Sequence, residues 1–427
     1  MKWLDKPTIS NLISAIQTGS SKISIRRDYF PSKYLAYLKT EIGGINNQIN
    51  IVELVETENA EKEKERWLEL ARTGRFENPS FTYNQDKLEI VANKEARVFE
   101  LLELLYEHSP FDLRERFEIE MLQYLIQDLL LSIEIAKSIL ARDDEKTAKI
   151  VRKKFGEIPF ISRDFNFKKE EVEEVEYPEK SFNAEAIQRA FYIAQRCYGW
   201  SWPISVSENA VAIDVRDKSS TSNCIFIPKS RNVSSTQLLR LVGHEIESHQ
   251  RSSMNGQRLF GFGGLSMKTD NEELYEGLAM LSDRDFDLWK YGSYRNETAK
   301  YYVQTIKMAS SGMSFGEVAR MLYQMRRHEN NALIKSYNMT RRVFRGITDT
   351  NNPAGYAFTK DLGYYNGLKM ATELENKGLS WLLELGSFDL NQLMIIAKYF
   401  RLSPEVIPYQ KIDLKTDPNF LESLGIN

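Results

Sequence analysis

The sequence predicts a mainly helical α+β fold with one small sheet. Apolar residues recur at helical spacing through the first 160 or so positions and again from about 280 to the end. Only two short segments alternate or run apolar in the manner of strands. Those two lie directly before a helix that holds two of the chain's four histidines.

From the N-terminus, apolar positions recur every three and four residues in NLISAIQ, in INIVELVETENAEKEKERWLELA and through 94–154. This is the pattern of helices that bury one stripe. Between the second and third of these, RFENPSFTYNQ carries Asn78-Pro79 and Tyr83 and predicts an extended connector. The most apolar stretch, MLQYLIQDLLLSIEIAKSIL, is interrupted by Gln123, Gln127, Asp128, Glu134 and Lys137, so it predicts a buried helix and not a membrane span. In SRDFNFKKEEVEEVEYPEKS, charge clusters and Pro178 break the periodicity. That break places a boundary near 176, between a helical N-terminal region of 1–175 and a domain of 176–427.

Beyond it, FNAEAIQRAFYIAQRCYG predicts a helix, and AVAIDVRD and NCIFIPKS predict a strand pair around a Ser/Thr turn. Ser234 or Ser235 is placed to cap the next helix, which runs through TQLLRLVGHEIESHQRSSM and has a stop signal at Asn255-Gly256. The remainder is helical, with turns at TDTNNPAGY and NKGLS.

Length and charge narrow the function. The chain has 427 residues, room for two domains, and a formal net charge of −3 from 57 basic and 60 acidic residues. No global field favours nucleic acid or an anionic membrane, so recognition is expected to be local. Cys197 and Cys224 are too few for a disulfide framework or a thiolate metal site and fit a reducing compartment. The N-terminal MKWLDKPTISNLISAIQ lacks the apolar core and cleavage site of a signal peptide and is expected to be kept. These observations predict a cytoplasmic, soluble protein; no oligomeric state is implied.

The chemistry is concentrated in HEIESH, where His244 and His249 stand five apart. In a regular helix that step leaves the second side chain about 140° from the first, against about 40° for a step of four. A π-bulge that loops out one residue among Ile246, Glu247 and Ser248 returns both imidazoles to one face, and such bulges concentrate at functional sites. A zinc peptidase needs two neutral imidazoles, a third ligand, an open position for water and a carboxylate to take that water's proton. Glu245 is placed for the last role. Downstream, TDNEELYEGLAMLSDRDF supplies the third ligand: Glu276 sits beside Gly277 and Ala279, which allow close helix approach, after Asp270 and Glu273 as a plausible cap. Taken alone, Glu276 reads as a solvated helix face. Asp283, seven residues further along the same face, is a candidate acceptor for an imidazole N–H. His328 has no second histidine nearby and reads as a surface residue; His108 reads as a helix-end residue.

HEIESH, the following NG at 255–256 and YEGLA at 275–279 resemble the microtubule-associated tyrosine carboxypeptidase family and its bacterial relatives, often labelled flavohaemoglobin expression-modulating QEGLA-motif proteins. NPSFTY at 78–83, IPKS at 227–230, VFRG at 343–346 and FTKDLGYYNG at 358–367 extend the resemblance over most of residues 65–370. It implies a zinc-peptidase-like catalytic domain with Zn2+ held by His244, His249 and Glu276, and Glu245 as catalytic base. Tyr275 stands where the family commonly has glutamine, which leaves the ligand set intact and bears on local substrate contacts. The family's best-known members remove C-terminal residues from tubulin tails.

A carboxypeptidase must hold its substrate's terminal carboxylate, and the two family-like C-terminal blocks offer Arg345 and Lys360 for that, with Tyr365 as a donor to the substrate or the developing oxyanion. The IFIPKS strand is a candidate to align a peptide by adding it to the sheet. The expected function is a zinc metallocarboxypeptidase acting on a peptide or protein C-terminal tail. The alternatives are a zinc endopeptidase, which needs no carboxylate clamp, and a non-catalytic binding or regulatory protein on the same scaffold.

Overall fold

A computed structural model of the chain describes residues 7–18, 32–156, 180–208, 210, 213–217, 223–262, 273–284, 292–353, 356–360 and 363–426. It is a mainly helical α+β fold. The N-terminal part comprises α1 (Ile9–Gln17), α2 (Lys33–Asn46), α3 (Ile51–Leu54), α4 (Ala60–Arg72), α5 (Gln85–Ala92), α6 (Glu95–Glu107), α7 (Leu113–Leu140) and α8 (Asp144–Phe155). Side chains start six of these eight helices: Thr8, Ser32, Asn50, Asn84, Asp112 and Asp143 each accept a backbone N–H of the first turn. The long apolar stretch is α7, and Asp128, one of its polar interruptions, is buried against the Lys154 ammonium of α8, 2.6 Å from its Oδ1. That pairing lets α7 carry a charge through its buried length. Among the described residues, no helix is long and apolar enough to cross a membrane.

The middle of the chain holds β1 (Ser181–Asn183), α9 (Ala184–Cys197), β2 (Ile204–Ser207), β3 (Asp214–Asp217), β4 (Asn223–Pro228) and β5 (Asn232–Ser234). The expected strand pair is present as the antiparallel β3–β4 ladder, with Val215 opposite Ile225. Three more strands, too short for any periodicity, complete two small sheets: β1 with β5, and β2-β4-β3. The second sheet corrects the expected role of IFIPKS. Over Ile225 and Phe226, β4 is paired to β2 on one side and β3 on the other, so its backbone groups there are already spent and no peptide can add along those two residues.

One nearly continuous helix follows: α10 (Ser235–Leu241), a π-helix from Val242 to Gln250, and α11 (Arg251–Phe260). Ser234 starts it with a capping box shared with Gln237. It does not stop at Asn255-Gly256 as expected. The Asn255 amide is spent on tertiary bonds, donating to Glu384 O and Tyr409 O and accepting the Tyr409 N–H, and the helix runs on to Gly261, whose φ of 66° closes it. Then come α12 (Glu273–Arg284), α13 (Gly292–Ser310), α14 (Phe315–Arg326), α15 (Ala332–Val343), α16 (Gly363–Asn376), α17 (Leu390–Tyr399) and α18 (Pro418–Ser423).

The apolar side chains form two clusters. The larger joins α1 to α8 with the end of α11, α12 to α17 and residues as far as Ile407. The smaller gathers β1, α9, β2, β4, α10, Val242 and Ile246 of the π-helix, Tyr275, Leu414, Phe420 and Ile426. The boundary expected near 176 lies outside the described residues. On α12, Leu274, Leu278 and Leu281 belong to the larger cluster and Tyr275 to the smaller.

Candidate metal centre

The geometry that the His-to-His step of five demands is provided by the backbone. Val242–Gln250 is π-helical throughout, so the widening is spread over nine residues and is not confined to one looped-out position. Ser248 reports the wide turn directly: its Oγ donates to Gly243 O, five residues back, at 2.8 Å. With this winding His244 and His249 return to one side, ring centroids 4.8 Å apart and planes perpendicular.

The third group arrives from α12. Glu276 Oε2 lies 3.9 Å from His244 Nε2 and 3.8 Å from His249 Nε2. One ligand atom of each residue falls within 4.8 Å of the others, and all three side chains are buried. A tetrahedral ion bound at 2.0–2.2 Å holds nitrogen and oxygen donors roughly 3.3–3.6 Å apart, so the two Glu276–histidine separations close with shifts of a few tenths of an ångström, and the widest separation in the set, within 4.8 Å, with a side-chain rotation of about 1 Å. Two imidazoles and a carboxylate, buried and convergent, fit a divalent metal ion. Glu245 is on the same π-helix and buried, 8% exposed.

Polar contacts hold the π-helix from behind. Glu247 Oε1 accepts the Tyr198 hydroxyl at 2.9 Å and the Leu414 N–H at 3.2 Å. Burial, and then the Glu247 carboxylate, push the Tyr198 hydroxyl above its ordinary value, so it remains the donor. Arg251, 1% exposed, donates to Glu247 O and pairs with Glu384 at 2.6 Å. An unusual helix is thus braced by groups on three other segments, which is how a less stable winding persists.

Two features fix α12 beside it. Ser248 has given its proton to Gly243 O, so the 2.8 Å contact between Ser248 Oγ and Ser282 Oγ is donated from α12. On the far side α12 packs on α16 at backbone distance: a Cβ at Gly277 would come within 2.4 Å of Gly367 O and 3.1 Å of the Ala371 methyl. The small residue beside Glu276 is there for close approach, as its sequence neighbourhood predicts. Tyr275, on the adjacent position, lays its ring on His249, centroids 3.9 Å apart and planes 23° from parallel.

The other predicted residues are placed as follows. Arg345 is 8% exposed, just past α15, and its Nη2 meets Glu56 Oε2 at 3.0 Å; Arg341 holds the other oxygen of the same carboxylate at 2.7 Å. Lys360 is half-buried in the segment before α16. The backbone of Tyr365 is in α16 and that of Asp283 in α12; their side chains lie outside the described residues, as does the Asp270/Glu273 cap. His108 caps the end of α6 and stacks on Tyr34.

The NPSFTY and VFRG blocks prove to be parts of one brace. Tyr83 OH donates to Ile347 O at 2.7 Å and accepts the Gly346 N–H at 3.0 Å. Asn78 Oδ1 accepts the Gly316 N–H at 2.6 Å, and Thr350 donates to Pro79 O. Sequence reasoning passed over the Ser248–Ser282 bond and the Tyr275 stack. For the second, an aromatic residue directly before the candidate ligand Glu276 was the only signal.

Comparison with known proteins identifies a family. A family model described as "Microtubule-associated tyrosine carboxypeptidase" matches residues 74–402, most of the chain. No curated protein matches.

Proposed function

We propose, from the premise that this chain belongs to the microtubule-associated tyrosine carboxypeptidase family, that it is a zinc-dependent metallocarboxypeptidase. Its substrate would be a peptide or protein tail, trimmed from the C-terminus. The observation that carries this reading is the buried convergence of His244, His249 and Glu276 around one position. Two imidazoles and one carboxylate leave a coordination position open, the pattern of catalytic and not structural zinc. Held there, Zn2+ would supply Lewis-acid polarisation and make nearby water more acidic at neutral pH.

The chain's own residues do the rest. Glu245 takes a proton from the attacking water as its oxygen bonds to the scissile carbonyl carbon. As the C–N bond breaks, Glu245 passes that proton to the leaving amine, so that a new carboxylate and a free amino acid result. Arg345 and Lys360 hold the substrate's terminal carboxylate. Tyr365 donates to the substrate or the developing oxyanion. Asp283 accepts an imidazole N–H. The reducing-compartment composition supports a cytoplasmic setting.

The test compares wild-type and Glu245→Gln protein on peptides with varied free or amidated C-termini, read by mass, with bound zinc measured on both. We expect zinc in both proteins and loss of single residues from free C-termini with the wild type alone. Cleavage of amidated peptides would select the endopeptidase reading. Zinc retention with no cleavage by either protein would select a binding role.

A further inference from the structure

We propose that Tyr275 is a positioning residue for the metal centre, acting through His249; this rests on the zinc reading above. A histidine side chain has a soft second torsion, so the direction of its Nε2 lone pair is set by whatever borders the ring. Metal-ligating imidazoles are usually steadied by a hydrogen bond to the other ring nitrogen. Here an aromatic plane also covers one face. The Tyr275 and His249 rings lie 3.9 Å apart at 23°, in van der Waals contact, and Tyr275 is only 7% exposed. His249 therefore cannot tilt toward α12 without displacing a buried ring.

The placement follows from the helix. Tyr275 and Glu276 are consecutive, so their side chains leave α12 about 100° apart. One reaches the shared position with a carboxylate and the other reaches the ligand beside it with a ring. Ser282, almost two turns on, returns to the same side and meets Ser248. One face of α12 thus supplies a ligand, a backstop for a second ligand and a bond to the helix bearing both. Glutamine, the residue the family resemblance sets at this position, has no ring with which to stack. The chain therefore fixes His249 by aromatic contact, and the contact needs the ring and not the hydroxyl.

The experiment uses metal-stripped full-length wild type, Tyr275→Phe, Tyr275→Ala and Tyr275→Gln. Zinc affinity is measured by competition with a chromogenic chelator, and the visible spectrum of the cobalt-substituted protein reports ligand geometry. The phenylalanine variant should match wild type in both. The alanine and glutamine variants should bind zinc about 10-fold or more weakly, the range seen when groups that orient a ligand are removed, with an altered cobalt spectrum. Thermal unfolding of the stripped proteins separates packing from positioning. If alanine lowers that midpoint but leaves affinity and cobalt spectrum unchanged, Tyr275 only fills the core and the proposal is overturned. A loss in phenylalanine equal to that in alanine overturns it too, by assigning the effect to the hydroxyl. Failure of the wild type itself to bind zinc would refute the underlying functional reading, a distinguishable result.

Discussion

Adding one methyl group at Gly277 should both destabilise the protein and weaken its metal site. Two effects oppose each other. Gly→Ala within a helix gains about 0.5–1 kcal/mol from propensity. Against that, the new Cβ would sit 2.4 Å from Gly367 O, about 1 Å inside ordinary contact, and 3.1 Å from Ala371 Cβ. A carbonyl of a packed helix has no rotamer into which to escape, so α12 and α16 must part. Overpacking of this kind costs about 1–3 kcal/mol, here toward the upper end because the obstacle is backbone. Clash therefore outweighs propensity, and a net loss of about 1–2 kcal/mol is expected. Relief of about 1 Å also moves the Glu276 carboxylate relative to imidazole nitrogens now 3.8 and 3.9 Å away. Zinc affinity of the stripped Gly277→Ala protein, by chelator competition, should fall about tenfold, the equivalent of about 1.4 kcal/mol. Thermal unfolding supplies the second reading. A variant that melts higher than wild type and binds zinc equally well would show propensity acting alone and refute the argument that α12–α16 contact sets the position of Glu276.

Two further outcomes are expected. Tyr83→Phe removes the hydroxyl that serves both Ile347 O and the Gly346 N–H in a buried brace, so the urea midpoint should drop by the equivalent of roughly 1–3 kcal/mol while zinc content stays unchanged. At high pH, Tyr83, Tyr124, Tyr198 and Tyr356 all have hydroxyls raised above their ordinary 10.0, chiefly by burial. Above pH 10 the unfolded chain therefore loses protons that the folded chain keeps. Stability from this source is complete below that pH and is lost as pH rises toward the folded values. Circular dichroism and phenolate absorbance should change together there, and early ionisation of all tyrosines without unfolding would contradict the burial.

The step of five between His244 and His249 made a widened helix legible in the sequence, because two histidines can share a metal ion only from one face. Its extent was not, since nine consecutive residues in π geometry depend on bracing by Tyr198, Leu414, Arg251 and Ser282, which no local pattern encodes. Glu276 was legible through its small neighbours Gly277 and Ala279. Asn255-Gly256 misled as a helix stop because an asparagine able to end a helix is equally able to bond Tyr409, 154 residues away. The strand pair showed its periodicity; β1, β2 and β5, three or four residues each, are too short to have one. Without β2 in view, β4 read as an edge. Arg345 illustrates a further limit: Glu56, its partner, belongs to the opposite end of the chain, and a guanidinium in an ion pair has the same letter as one awaiting a substrate.

α12 has sides in two different apolar clusters, which gives a bound ion a mechanical part to play. His244 and His249 ride on a helix whose Val242 and Ile246 sit in the smaller cluster, whereas Glu276 rides on one whose leucines sit in the larger. A cation gripped by all three is a rivet through the seam between them. With the rivet in place, sliding at the seam stretches coordinate bonds, in addition to the apolar contacts, the Ser248–Ser282 bond and the continuity of the π-helix into α11 that resist it already. An ion held there would thereby also fasten the helix of His244 and His249 to α12.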